Sequence, residues 1–97
     1  MEKIILVDII GRYPTTRESC DELFNKINKL TEDSIIIDFS NIIGTTNSFA
    51  SEYVFNKNKC KKTIIERNKN KNITSMFDIV NKIKKPDKIE NIQIENF

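Results

Sequence analysis

The polar residues that follow the apolar run Ile35–Ile37 have the types and spacing best suited to chemistry. Asp38 comes directly after this run. Ligands of open α/β sheets bind at the carboxyl ends of the strands, where a carboxylate can serve as an acid, a base or a metal ligand. No second carboxylate lies beside Asp38 in the sequence. We therefore expect Asp38 to accept hydrogen bonds from backbone N–H groups of the following turn.

A cluster of small polar residues comes after that turn. It consists of Gly44, Thr45, Thr46, Asn47 and Ser48. A nucleotide cradle is not expected, because both glycine-rich phosphate-binding motifs are absent and the chain has 2 glycines. Hydroxyl and amide side chains are preferred helix N-caps, which predicts a capping role. An exposed hydroxyl here is also a candidate for phosphorylation, because the positive end of a helix stabilises a phosphate of roughly −2 charge.

The composition argues against several kinds of catalysis. The chain has no histidine, which excludes Ser-His-Asp and Cys-His catalysis and most zinc sites. Cys20 and Cys60 are far apart, and we expect free thiols that pack rather than react. We predict no metal and no cofactor. A small enzyme using Asp38, Arg17 or a cysteine is the least favoured function.

The charge is unevenly distributed, although the formal net charge is only +2. The first half is acidic, and the basic residues of the later part are Lys57, Lys59, Lys61, Lys62, Arg67, Lys69, Lys71, Lys82, Lys84 and Lys85. Nucleic-acid binding through Lys57–Lys71 is therefore the alternative function. Few aromatic side chains lie among these lysines, which argues against base stacking. Lys, Asn and Ile are also the residues that AT-rich codons encode, so composition alone can account for the basic stretch.

The length of 97 residues predicts one domain, with a core at about 3–85 and a tail at 86–97. No run approaches the ~20 apolar residues of a membrane span. The run Ile4–Val7 is too short for a signal peptide and is followed by Asp8. These features predict a cytoplasmic protein that does not bind a membrane.

Three short apolar runs predict strands. They are Ile4–Val7, Ile35–Ile37 and Thr63–Ile65, and each is nearly continuous rather than alternating. Such runs are typical of strands buried on both faces, as in a parallel sheet with helices above and below.

Three helical patterns alternate with these runs. The first begins with a capping box of Thr15 and Glu18, and its buried face is Cys20, Leu23, Phe24, Ile27 and Leu30. The second begins near Asn47 or Ser48 and ends within Asn56–Lys59; its buried face is Phe49, Ala50, Tyr53 and Val54. The third begins near Thr74 or Ser75, with Asp78 completing a capping box, and Pro86 stops it. Its buried face is Met76, Ile79, Val80 and Ile83.

The resulting βαβαβα order predicts an α/β fold with a small, mainly parallel sheet and right-handed crossovers. Lys69–Asn72 is predicted to be a polar loop. The tail contains Ile89, Ile92, Ile94 and Phe97. Three roles are open for it: an extra edge strand, docking on the sheet, or contact with a partner.

Three segments carry a family resemblance. Gly11–Arg17 reads Gly-Arg-Tyr-Pro-Thr-Thr-Arg, Ile36–Ile42 reads Ile-Ile-Asp-Phe-Ser-Asn-Ile, and Ser48–Glu52 reads Ser-Phe-Ala-Ser-Glu. In order and spacing they resemble the STAS-like family of unknown function. In that family an Arg opens the first helix, a strand ends in Asp-Phe-Ser, and the next helix opens with Phe-Ala-Asp-Glu. Ser51 stands where the family has the Asp of this last motif. The resemblance spans roughly Ile4 to Ile83 and implies a variant of the STAS fold of anti-sigma factor antagonists.

Those antagonists bind a GHKL-type ATPase kinase and are switched by phosphorylation of a Ser within an Asp-Ser-Ser-Gly motif. That Ser falls on Ser48 here, whereas Thr46, Asn47 and Phe49 replace the other three residues. The resemblance implies a non-catalytic regulatory module that docks on a GHKL-type ATPase or another signalling protein.

The expected docking face consists of the turn Gly44–Ser48 and the exposed side of the second helix, including Ser51 and Glu52. Ser48 is the candidate phosphorylation site. Asp38 and Arg17 are expected to have structural roles beside it.

Overall fold

The computed structural model describes the backbone of residues 2–84 and the side chains of residues 2–82. The elements are β1 (Glu2–Ile5), α1 (Leu6–Ile10), α2 (Arg17–Lys29), β2 (Ser34–Asp38), α3 (Asn47–Lys59), β3 (Thr63–Arg67) and α4 (Lys71–Lys84). The three strands form a parallel sheet in the order β1-β2-β3, which confirms the predicted α/β alternation. The predicted stop at Pro86, the tail and the side chain of Ile83 lie outside the described residues. None of the helices within residues 2–84 is long and apolar enough to cross a membrane.

The helices cover one face of the sheet. Side chains alternate along a strand, and Ile4, Ile35 and Ile37 belong to the buried core, with Ile4 paired to Ile37. Ile5 and Ile36, which alternate with them along β1 and β2, are only half-buried. The prediction of helices on both faces is therefore wrong for the described residues. Crossovers between parallel strands are nearly always of one hand, so two consecutive crossovers between neighbouring strands place α2 and α3 on the same side of the sheet. The contacts of α3 with both α2 and α4 agree with this arrangement.

The first apolar run divides between a strand and a helix. Strand β1 ends at Ile5, and Leu6 begins the short helix α1, in which Leu6 is fully buried. Gly11 ends α1 with a φ of 80°, and its N–H donates to the Val7 carbonyl at 3.0 Å. The predicted strand over Ile4–Val7 is therefore two residues too long. Apolar character alone does not separate a buried strand from a buried helix in so short a run.

Helix α2 begins one residue later than the predicted capping box requires. Its N-cap is Thr16, whose hydroxyl accepts a hydrogen bond from the Ser19 N–H at 3.1 Å. The prediction of Thr15 paired with Glu18 is wrong, because Ser19 takes the third helical position. The predicted buried face is confirmed for Cys20, Leu23, Phe24 and Ile27, while Leu30 is half-buried just beyond the helix.

Helix α3 matches its prediction, and its buried face carries the centre of the core. Thr46 caps the helix through the Phe49 N–H at 3.2 Å, and Phe49, Ala50, Tyr53 and Val54 are buried. Tyr53 contacts four rings, with centroid distances of 5.0 to 6.3 Å; they belong to Phe24, Phe39, Phe49 and Phe77. Such aromatic packing fixes the position of α3 against α2 and α4.

Helix α4 begins at Lys71, inside the segment predicted to be a loop. The Asn70 side chain accepts a hydrogen bond from the Ile73 N–H at 3.0 Å and so caps the helix. The predicted start near Ser75, with its Asp78 capping box, is wrong. Ile73, Phe77 and Val80 form the buried stripe, whereas Met76 is half-buried and Ile79 is 49% exposed. Assigning Ile79 to the core is thus also wrong, because the true stripe begins one turn earlier.

Candidate protein-interaction surface

Asp38, at the carboxyl end of β2, links β2 to β1 and to the turn that follows β3. Its Oδ1 accepts from the Ser40 N–H at 2.9 Å, the Ser40 hydroxyl at 2.6 Å and the Asn68 amide at 3.0 Å. Lys3 of β1 lies 3.4 Å from Oδ2. Hydrogen bonds from Ser40 and Asn68 hold the pKa of Asp38 well below its usual range. Asp38 is therefore a fully engaged carboxylate, poorly suited to act as a base.

The turn after β2 is held against the segment that precedes α2. The Thr45 hydroxyl donates to the Pro14 carbonyl at 2.8 Å, and the Thr46 hydroxyl donates to the Thr15 carbonyl at 2.9 Å. A Cβ atom at Gly44 would lie 3.3 Å from the Tyr13 ring, so a side chain there would press on that ring. These contacts position the N-terminus of α3 and the Tyr13 side chain together.

The predicted docking residues differ in exposure and role, and Thr46 is half-buried as the N-cap of α3. Gly44 and Thr45 are buried, so their role is structural. Asn47 and Ser48 are exposed in the first turn of α3, which leaves the Ser48 hydroxyl accessible. Ser51, one turn further along α3, donates to the Asn47 side chain at 3.1 Å.

Glu52 faces α2 rather than the turn. A hydrogen bond with Asp21 raises the pKa of Glu52, and the positive charge of Arg17 acts in the opposite direction. Arg17 is exposed and is the first residue of α2. Glu52 and Arg17 therefore belong to the contact region between α2 and α3.

An exposed apolar patch beside this turn was missed by the sequence interpretation. Tyr13, Ile43, Met76 and Ile79 line a shallow cavity of 280 Å³ together with Gly44 and Thr45. Tyr13, Ile43 and Ile79 are 54%, 53% and 49% exposed. We call these four side chains the Tyr13 patch. No periodic signal marks it, because its residues come from two loops and one helix.

Several lysines of the predicted nucleic-acid surface are engaged within the protein. Lys57 and Lys69 contact the Glu66 carboxylate at 3.1 and 2.8 Å. Lys62 donates to the carbonyls of Leu30 and Glu32, both at 2.7 Å. Burial alone would raise the pKa of Glu66, but hydrogen bonds from Lys69 and Tyr53 and the charge of Lys57 lower it below its usual value. These lysines are thus less available to phosphates than the sequence suggests.

A second cavity, of 810 Å³, lies between α2 and α3 and offers no reactive centre. Cys60 lines it, and the Cys60 thiol donates to the Asn28 side chain at 3.6 Å. Cys20 is fully buried, and burial raises its pKa to about 12. Both cysteines are free thiols. Within residues 2–84, no group of three or more acidic or Cys side chains is arranged to hold a metal ion.

Comparison of the chain with protein families, with curated proteins and with solved structures finds no match. The resemblance to the STAS-like family therefore depends on the sequence motifs alone.

Proposed function

We propose that this protein is a non-catalytic regulatory module that binds a protein partner through the Tyr13 patch and the adjoining first turn of α3. The observation that carries the proposal is the patch itself. Three large apolar side chains, each about half exposed, surround one cavity at the carboxyl edge of the sheet. Contiguous exposed apolar surface of this kind is typical of binding sites, whereas scattered apolar residues are not.

The residues that could perform chemistry are occupied by structural contacts, which supports binding over catalysis. Asp38 accepts three hydrogen bonds and an ammonium contact, and the Cys20 thiol is buried with a raised pKa. The Cys20 thiol therefore stays protonated at neutral pH, and a protonated thiol is a poor nucleophile. The motif resemblance makes a GHKL-type ATPase, or another signalling protein, the first partner class to test.

The partner proposal is tested by affinity capture from the organism that encodes this chain. Wild-type bait is compared with Ile43→Asp, which places a charge in the patch at a side chain that is 53% exposed. Phe55→Asp is the matched control, since Phe55 is 47% exposed and lies on α3 beside the large cavity. We expect the wild-type and Phe55→Asp baits to capture a regulator or ATPase in a nearly one-to-one ratio to the bait. We expect the Ile43→Asp bait to lose this partner. Equal recovery by all three baits would refute the proposed surface.

Regulation by phosphorylation of Ser48 is part of the same proposal. Ser48 is exposed in the first turn of α3, where the helix dipole stabilises a phosphate. We expect Ser48→Asp to weaken binding of the captured partner several-fold and Ser48→Ala to leave it unchanged, as measured by calorimetry. If the two variants bind alike, the switch at Ser48 is wrong, whereas the docking surface still stands.

A further inference from the structure

The Tyr13 patch is bordered by positive charge. The Ile43 N–H donates to the Arg12 carbonyl at 2.8 Å, which places Arg12 beside the patch. The Asn72 amide donates to the Ile43 carbonyl at 3.5 Å, so Lys71, its neighbour in the first turn of α4, lies on another side. Lys82 follows Ile79 by three residues on α4 and shares its face of the helix. Arg12, Lys71 and Lys82 are all exposed, and we call them the basic rim.

The charges of the basic rim are not neutralised by an ion pair within the described residues, a property that they share with other lysines such as Lys26 and Lys61. Lys3, Lys57 and Lys69 each form an ion pair with a carboxylate, whereas no member of the basic rim forms one within residues 2–84. No carboxylate lines the cavity of the patch. The N-terminus of α4 adds the positive end of a helix dipole at Lys71. An approaching partner therefore meets an apolar centre within a positive border.

The cavity is of a size that can accommodate a single side chain of a partner. Its volume of 280 Å³ falls just below the range of about 300–1,000 Å³ typical of small-molecule sites. It is shallow and lined by Ile43, Met76 and Ile79, with the Tyr13 ring at one side. An apolar side chain of a protein partner, inserted as an anchor, would remove these groups from water.

We propose, on the basis of the function proposed above, that the partner presents an acidic segment around one large apolar side chain. The apolar side chain enters the cavity, and flanking carboxylates face the basic rim. Complementary charge of this kind increases the rate of encounter and selects the partner, while the buried apolar contact contributes most of the affinity. A phosphate on Ser48, near the same surface, repels such a segment.

The experiment is a selection of random 12-residue peptides displayed on phage, using the whole chain as target. Peptides that also bind the Ile43→Asp variant or the Ile79→Asp variant are removed. Two variants are used so that misfolding of one of them does not decide which peptides are kept. We expect the remaining peptides to carry a Leu, Ile, Met or Phe flanked by Asp or Glu. Arg12→Glu combined with Lys71→Glu should weaken binding of the synthesised peptides about tenfold or more. Lys59→Glu, at an exposed lysine of α3 beside the large cavity, should change it less than twofold.

The outcomes separate the two proposals. The acidic partner is overturned if the peptides that depend on the patch carry no acidic residues. It is also overturned if Lys59→Glu weakens peptide binding as much as the double variant does. Both outcomes leave the docking surface intact. Failure to select any peptide that depends on Ile43 or Ile79 overturns both. A single-stranded 12-nucleotide DNA that binds the basic rim more tightly than every selected peptide also overturns the acidic segment and makes nucleic acid the ligand.

Discussion

At the scale of single residues, Asp38 shows how a candidate catalytic group can be a structural one. Its carboxylate accepts from the turn after β2 through Ser40 and from the turn after β3 through Asn68, and it pairs with Lys3 of β1. Asn68 has a φ of 61°, a left-handed conformation that Asn tolerates better than most residues and that aims its amide at Asp38. One side chain therefore connects three segments that are far apart in sequence.

The lowered pKa of Asp38 predicts an acid-dependent loss of stability. The unfolded-state pKa of an aspartate is about 3.9, and the folded-state value lies below it. The contribution is therefore complete above that pH and is lost as the pH falls towards the folded-state pKa. We expect Asp38→Asn to lower the free energy of unfolding at pH 7, and this deficit to shrink at pH values below about 4.

Urea denaturation followed by circular dichroism between pH 7 and pH 2.5 measures this dependence. Asp33→Asn, at an exposed residue, is the control for loss of one negative charge. A deficit for Asp38→Asn that stays constant over the whole range contradicts the assigned cause.

At the scale of elements, the two threonine caps perform different tasks. The Thr16 hydroxyl caps α2 by accepting from the Ser19 N–H, and it also forms a hydrogen bond with the Ser19 hydroxyl. Thr46 caps α3 and also donates to the Thr15 carbonyl, so it joins the start of α3 to the segment before α2. Thr46 is thus both a cap and a tertiary contact.

This difference predicts unequal costs of removal. Thr16→Ala should lower the free energy of unfolding by about 1 kcal/mol, the usual cost of losing an N-cap. Thr46→Ala should cost about 2 kcal/mol, because a second hydrogen bond is lost as well. Thr46→Ser, which retains a hydroxyl, is expected to recover most of the loss. Chemical denaturation of the three variants checks this order, and equal costs at Thr16 and Thr46 would disprove the tertiary role.

Element type was more predictable from the sequence than element boundary. Helix α3 was predicted correctly because polar capping residues immediately precede a clear apolar stripe from Phe49 to Val54. Helix α4 was predicted to begin too late, since its cap is Asn70 within a run of alternating Lys and Asn that looks like a loop. The strand over Ile4–Val7 was extended too far because both α1 and β1 are apolar there.

The sequence locates one part of the candidate site, the turn after β2, but not the Tyr13 patch beside it. Asp38, Gly44 and the threonines follow a central strand, and position alone directs attention to them. The Tyr13 patch depends on contacts between residues distant in sequence, such as Tyr13 against Gly44 and Asn72 against Ile43. No local pattern encodes such proximity.

At the scale of the whole molecule, the asymmetry of the sheet decides where mutations matter. Ile37 is fully buried beneath the helices, and Ile36, next to it in β2, is half-buried on the opposite face. Adjacent isoleucines of one strand thus have very different surroundings.

We expect Ile37→Ala to lower the free energy of unfolding by about 2–5 kcal/mol, the range for a truncated core isoleucine. Ile36→Ala should cost clearly less, about 1 kcal/mol, because it leaves no enclosed cavity. Equilibrium unfolding in urea compares the two. Comparable losses would mean that the face bearing Ile36 is covered as fully as the face bearing Ile37.

The strand order β1-β2-β3 also has a consequence for the way the chain assembles. Strand β2 pairs with β1 and β3 pairs with β2, so each later strand pairs with a strand that has already left the ribosome. Pairings between neighbouring units keep the sequence separation of contacts low for a parallel sheet, which favours rapid folding. Tyr53 meets Phe24 from the preceding helix and Phe77 from the following one. The Tyr53 ring therefore first packs against the unit made before it and later against the helix made after it.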